Sequence, residues 1–195
     1  MRVIKLLLSI IFIISFISCT TYCPSFNEEI LNWIPYQEKD VIELYSQPND
    51  STLKFSIRNV TVTHKTSYKF GTKCGTCVDD IYINDDDSNF NVTIYFDKKG
   101  IGSQDYKIYD TYFATYNSKH TEEKNYQFED TEYDMVWVFE KTDSNGTFKK
   151  LIIAKEFGVI GLIDIHDNTW SLKTNVESKG LNQQRNIVVN NVSCG

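Results

Sequence analysis

Alanine is nearly absent from this 195-residue chain, occurring only at Ala114 and Ala154, and proline occurs only at Pro24, Pro35 and Pro48. Scarcity of the best helix former starves helices, while abundant Tyr, Phe, Ile, Val and Thr suit half-buried, pleated strands. Histidine is limited to His64, His120 and His166, none in a metal or nucleophile pattern. The chain has no GxSxG, no HExxH and no phosphate-binding loop, so no motif asks for a cofactor. A basic surplus is also missing: the formal charge is −6, which argues against a nucleic-acid partner.

The N-terminus carries what the rest lacks. Arg2 and Lys5 precede an apolar run from Leu6 to Ile17, broken only by Ser9 and Ser15. A helix of that length covers about 18 Å, short of the roughly 30 Å hydrocarbon core, so a cleaved signal peptide is expected over residues 1–18 rather than a membrane span. The run ends in Phe16-Ile17-Ser18-Cys19, which resembles the lipobox of bacterial lipoproteins, with Phe16 standing where Leu is usual. That resemblance implies cleavage before Cys19, diacylglycerol on its thiol and attachment to a bacterial membrane. Thr20 in place of an aspartate resembles lipoproteins sent to the outer membrane.

Removal of residues 1–18 leaves about 177 residues and, with Arg2 and Lys5 gone, a formal charge of −8. Residues 19–24 read as a lipidated tether and residues 25–195 as a single β domain, a size that one core can serve. With Cys19 acylated, Cys23, Cys74, Cys77 and Cys194 form an even set in an oxidising compartment, and two disulfides are expected. Either Cys74-Gly75-Thr76-Cys77 closes on itself, or each of its cysteines ties down one chain end through Cys23 and Cys194. The β-branched flanks of this CxxC lack the strand-to-helix setting of a thioredoxin motif and a second pair of zinc ligands.

Ser25-Phe26-Asn27-Glu28 has capping-box spacing ahead of Ile30, Leu31, Trp33 and Ile34, which predicts one short helix ending before Pro35. From Val41 onward the apolar period is two: Val41 to Tyr45, then Leu53, Phe55 and Ile57, a bulge at Asn59, and Val60 and Val62. Ile81 to Ile83 and Val92 to Phe96 flank the turn Asn84 to Asn89, a hairpin pattern. Tyr106 to Tyr116 reads as one long strand with aromatics on both faces. Asn125 to Phe128 and Asp134 to Lys141 follow as strands. After the strong turn signal Asp143-Ser144-Asn145-Gly146 come Leu151 to Ala154, Gly158 to Ile163 and Trp170 to Leu172. The expected fold is mainly β, an antiparallel open curved sheet or a barrel or sandwich, with one short N-terminal helix.

Leu151-Ile152-Ile153-Ala154-Lys155, Gly158-Val159-Ile160-Gly161 and Trp170-Ser171-Leu172 resemble the C-terminal strands of uncharacterised exported lipoproteins of the Bacteroidota type. The resemblance covers about 25 residues and the signal region. It implies a curved antiparallel sheet or barrel and brings no catalytic residues.

Candidate chemistry is thin. Asp164-Ile165-His166-Asp167 would set Asp164 and His166 on one strand face, as a base and its orienting partner require, though a polar strand end running into a turn accounts for the same residues. Asp85, Asp86 and Asp87 offer hard oxygen ligands but lack the spacing and distal Glu of a calcium loop, so a solvated hairpin tip is expected. Asn-x-Ser/Thr sequons begin at Asn49, Asn59, Asn91, Asn145 and Asn191, as chance allows in an Asn- and Thr-rich chain. Two functional readings follow. One is a non-enzymatic, membrane-anchored binding module of the cell envelope, whose Tyr- and Phe-rich concave face takes an apolar or carbohydrate ligand or an envelope protein. The other is an envelope hydrolase using Asp164 and His166, or a thiol-redox protein using Cys74 and Cys77.

Overall fold

The computed structural model describes residues 28–46, 48, 50–67, 76–97, 100–114, 117–173 and 189–192. The chain is mainly β. Eleven strands follow one another in a single antiparallel path that forms a nearly closed, barrel-like sheet.

The first half builds one flank by successive hairpins. β1 (Val41–Ser46) pairs β2 (Ser51–Ser67), which pairs β3 (Thr76–Asp85), then β4 (Phe90–Asp97), β5 (Gly100–Ile108) and β6 (Thr111–Ala114). β2 is long because its first part serves β1 and its second part serves β3. The register shifts between Ile57 and Asn59, so the bulge expected at Asn59 falls at the handover between partners. The second half supplies β7 (Ser118–Phe128), β8 (Thr131–Lys141), β9 (Phe148–Ala154), β10 (Gly158–Asp164) and β11 (Thr169–Leu172), and β11 joins the halves by pairing β1. β12 (Val189–Val192), which the sequence did not suggest, lies parallel to β2 beside Val62 to Lys65, on the edge that β1 leaves uncovered.

The seam is closed by side chains where strand pairing stops. The Thr147 N–H donates to Asp110 Oδ1 and the Phe148 N–H to Thr111 Oγ1, each at 3.0 Å. The Thr142 N–H and hydroxyl both donate to the Asn117 carbonyl. Gly146 (φ 95°) passes so close to this seam that a Cβ there would lie 2.5 Å from Thr111 Oγ1.

Period-two patterning puts Phe55, Ile57, Ile81, Ile83, Phe90, Val92, Ile94, Tyr106, Ile108, Phe113 and Phe139 inside, all essentially without solvent contact. Phe55 lies 5.4 Å from Phe90 and Tyr106 5.1 Å from Phe139, ring to ring. The inward aromatics therefore pack against one another within the sheet.

Three expectations need correction. The helix before Pro35 is a 3-10 helix (Glu28–Trp33), and no α-helix occurs among the described residues. A segment this short cannot repay α-helix nucleation, and it ends in an i to i−3 bond from the Ile34 N–H to the Leu31 carbonyl. Burial holds it instead: Leu31, Trp33 and Ile34 are in the core, with the Trp33 ring stacked on Trp137 at 3.5 Å and 6°. Tyr106 to Tyr116 is not one strand: Tyr109 (φ 54°) and Asp110 turn the chain, pairing Tyr106 with Phe113 and Lys107 with Tyr112. No Gly or Pro marks this turn; the Asp110 carboxylate, bonded across the seam, fixes it. Finally, β7 starts at Ser118 and not Asn125. Its charged residues Lys119, Glu122, Glu123 and Lys124 hide the strand pattern and suit an edge strand that must repel further pairing.

Candidate functional site

The outer face of β8, β9 and β10 is as apolar as the inner one. Val136, Val138, Ile152, Ala154 and Ile160 form a second core on that side. A register shift between Val159 and Gly161 breaks strict alternation in β10, so Ile160 joins this outer cluster while Val159 and Leu162 point inward.

The cover over this second core is the far end of the β7–β8 hairpin. β9 pairs β8 from Val136 to Glu140 and the Lys155 N–H still donates to the Met135 carbonyl, so residues 131–134 are the part of β8 that leaves the sheet with β7. Asn125 (φ 51°) sits where β7 bends, and Glu129 (φ 50°) makes the tip. Tyr126, Phe128 and Tyr133 then pack down, and Tyr133 meets Phe157 edge-on at 5.2 Å. Gly161 makes room: a Cβ there would lie 2.3 Å from Phe128 Cζ.

Beyond this contact the hairpin and sheet part, leaving a half-open cavity of about 300 Å3. Its apolar walls are Phe128 and Tyr133 from the hairpin, Ile160 from β10, Leu172 from β11 and Tyr45 from β1. Glu129, Asp130, Thr131, Ser171 and Lys173 supply its polar parts. The strand register explains why residues so far apart in sequence meet, since Gly161, Ser171 and Tyr45 are successive cross-strand neighbours on β10, β11 and β1. The Tyr45 hydroxyl donates to Asp50 Oδ1 at 2.9 Å, and that bond to a carboxylate, with lesser burial, raises its pKa. Burial raises that of Tyr133.

The residues singled out from sequence lie elsewhere. Cys19, Cys23, Cys74 and Cys194 fall outside the described residues, and Cys77 is placed only as a β3 position opposite Thr66. Asp164 ends β10 and organises the turn after it. Its Oδ1 accepts the His166 N–H at 2.8 Å and the Asn168 N–H at 2.9 Å, and its Oδ2 accepts the Asn168 side-chain amide at 2.9 Å. Burial pushes the Asp164 carboxyl up, but these bonds outweigh it and hold the pKa below the ordinary carboxylate value. Asp164 and His166 thus meet through the histidine's main chain, while the His166 side chain is exposed. At the β3–β4 turn Asp85 is buried and accepts the Phe90 N–H at 3.0 Å, while Asp86 and Asp87 are exposed. No group of three His, Cys, Asp or Glu suited to a metal occurs among the described residues.

No family model, no curated protein and no solved structure matches the chain. The cavity residues escaped sequence reading because they come from five strands and a turn without Gly or Pro. The signal that was present is Tyr126, Phe128 and Tyr133 at alternate positions around Glu129-Asp130, a hairpin pattern with aromatics on one side.

Proposed function

We propose that this chain is an exported, non-enzymatic lipoprotein, anchored by lipid on Cys19 to the outer membrane of a bacterial envelope, whose β domain binds a small ligand beneath the β7–β8 hairpin. The cavity there is the observation that carries the reading. The inner face of the sheet is packed with its own aromatics, whereas the outer cavity leaves apolar walls and polar groups facing open space. Its volume is at the lower end for small-molecule sites, suiting a ligand of a few carbon units or one side-chain-sized group. Lipid on Cys19 and disulfides among Cys23, Cys74, Cys77 and Cys194 belong to the same proposal, as does kinship with exported lipoproteins of the Bacteroidota type.

The test is a thermal-shift screen of the full chain against small amphipathic compounds, repeated with Ser171→Trp, which fills the cavity from its floor. Stabilisation that the variant abolishes, with the variant's own folding retained, is the expected result. Compounds that stabilise both proteins equally would place binding elsewhere and refute the assignment.

A further inference from the structure

The chemistry of the cavity wall narrows the ligand class. Three of its side chains are aromatic: Phe128 and Tyr133 from the β7–β8 hairpin and Tyr45 from β1. The hairpin tip adds two adjacent carboxylates, Glu129 and Asp130, against the single ammonium of Lys173. Tyr45 contributes further, because donating its hydroxyl proton to the Asp50 carboxylate raises the electron density of its ring. An anion would meet repulsion from the tip, and a neutral apolar group would leave these charges unused.

Resting on the reading of the cavity as a ligand site, we infer that its ligand is a small alkylammonium compound. Its methylated or apolar ammonium head sits among Tyr45, Phe128 and Tyr133, with Glu129 and Asp130 at the rim. Such a cation is more weakly hydrated than a compact ammonium, so moving it against aromatic walls costs less, and the ring quadrupoles and carboxylates offset part of the water it loses. Lys173 lies at the border as an exposed residue, free to swing into solvent when the site fills.

The experiment compares choline with its uncharged carbon isostere dimethylbutanol, titrated by calorimetry into the full chain in a maltoside detergent. A second arm uses the doubly neutralised variant Glu129→Gln with Asp130→Asn, whose substitutions are at exposed positions. The expected result is that choline binds at least about five-fold more tightly than the isostere, and that the double variant loses most of this preference while still binding the isostere. Equal binding of both probes would overturn the cation inference and leave the cavity intact as an apolar site. Binding of neither would overturn the inference, and if the thermal-shift screen were also empty, the site assignment with it.

Discussion

Gly161 sits under the Phe128 ring at a β10 position that an alanine backbone can occupy, so Gly161→Ala isolates one contact. The added Cβ would lie 2.3 Å from Phe128 Cζ and 2.5 Å from Cε1, closer than carbon atoms approach, and the ring has to move. Overpacking of this kind costs about 1–3 kcal/mol. Removing the ring by Phe128→Ala sacrifices a partly buried aromatic and should cost about 1–2 kcal/mol, below the range for a fully buried Phe because one side faces the cavity. In the Phe128→Ala background the clash disappears. There, replacing Gly161 by Ala should be neutral or stabilise by about 0.4–1 kcal/mol, through reduced freedom of the unfolded chain. The coupling between the two substitutions should therefore be about 1–4 kcal/mol, measured by urea denaturation followed by tryptophan fluorescence. Additivity within about 0.5 kcal/mol would refute the packing of the hairpin onto β10.

Other expected outcomes follow from the same contacts. Tyr36 is buried and its hydroxyl accepts the Val159 N–H, so Tyr36→Phe should cost about 1–3 kcal/mol in chemical denaturation by leaving that N–H without an acceptor. Gly158 (φ 76°) lies so close to Tyr36 that a Cβ would be 2.2 Å from its hydroxyl; Gly158→Ala should destabilise more than Gly161→Ala, and Tyr36→Ala should rescue it only in part, because the backbone strain stays. Asp164 has a depressed folded pKa, so its contribution is fully present above the ordinary carboxylate value of about 3.9 and is lost as pH falls through the lower folded value. Asp164→Ala should therefore cost about 2–3 kcal/mol near neutral pH and progressively less below about pH 4, read from denaturation midpoints across that window.

Much of the placement of strands along the chain was legible because period-two alternation reports directly on which face is buried. Ile81 to Ile83, Val92 to Phe96, Leu151 to Ala154 and Gly158 to Ile163 all appear as strands, and the Asn59 bulge is real. What stayed hidden had physical causes. Tyr109-Asp110 and Glu129-Asp130 turn the chain with non-glycine residues in the left-handed region, Tyr109 and Glu129, so no composition signal marked them. The short Glu28–Trp33 segment carries a capping pattern, but tertiary burial of Trp33 and Leu31 settles its geometry. The cavity depends on a hairpin leaving the sheet and folding across it, a long-range event that only the register of β8 with β7 and β9 reveals. Asp164 and His166 do not share a strand face: β10 ends at Asp164 and His166 lies in the turn after it, so these residues form the polar strand end running into a turn.

The most direct test of the proposed role is the intact mass of the protein purified from membranes of its native host, before and after reduction. The account predicts a polypeptide beginning at Cys19 and carrying acyl chains, with a gain of two hydrogens for each disulfide on reduction, about four in all. An unlipidated chain with a different start would contradict membrane anchoring at Cys19. Free thiols at Cys74 and Cys77 would contradict the structural disulfides and bring the redox reading forward.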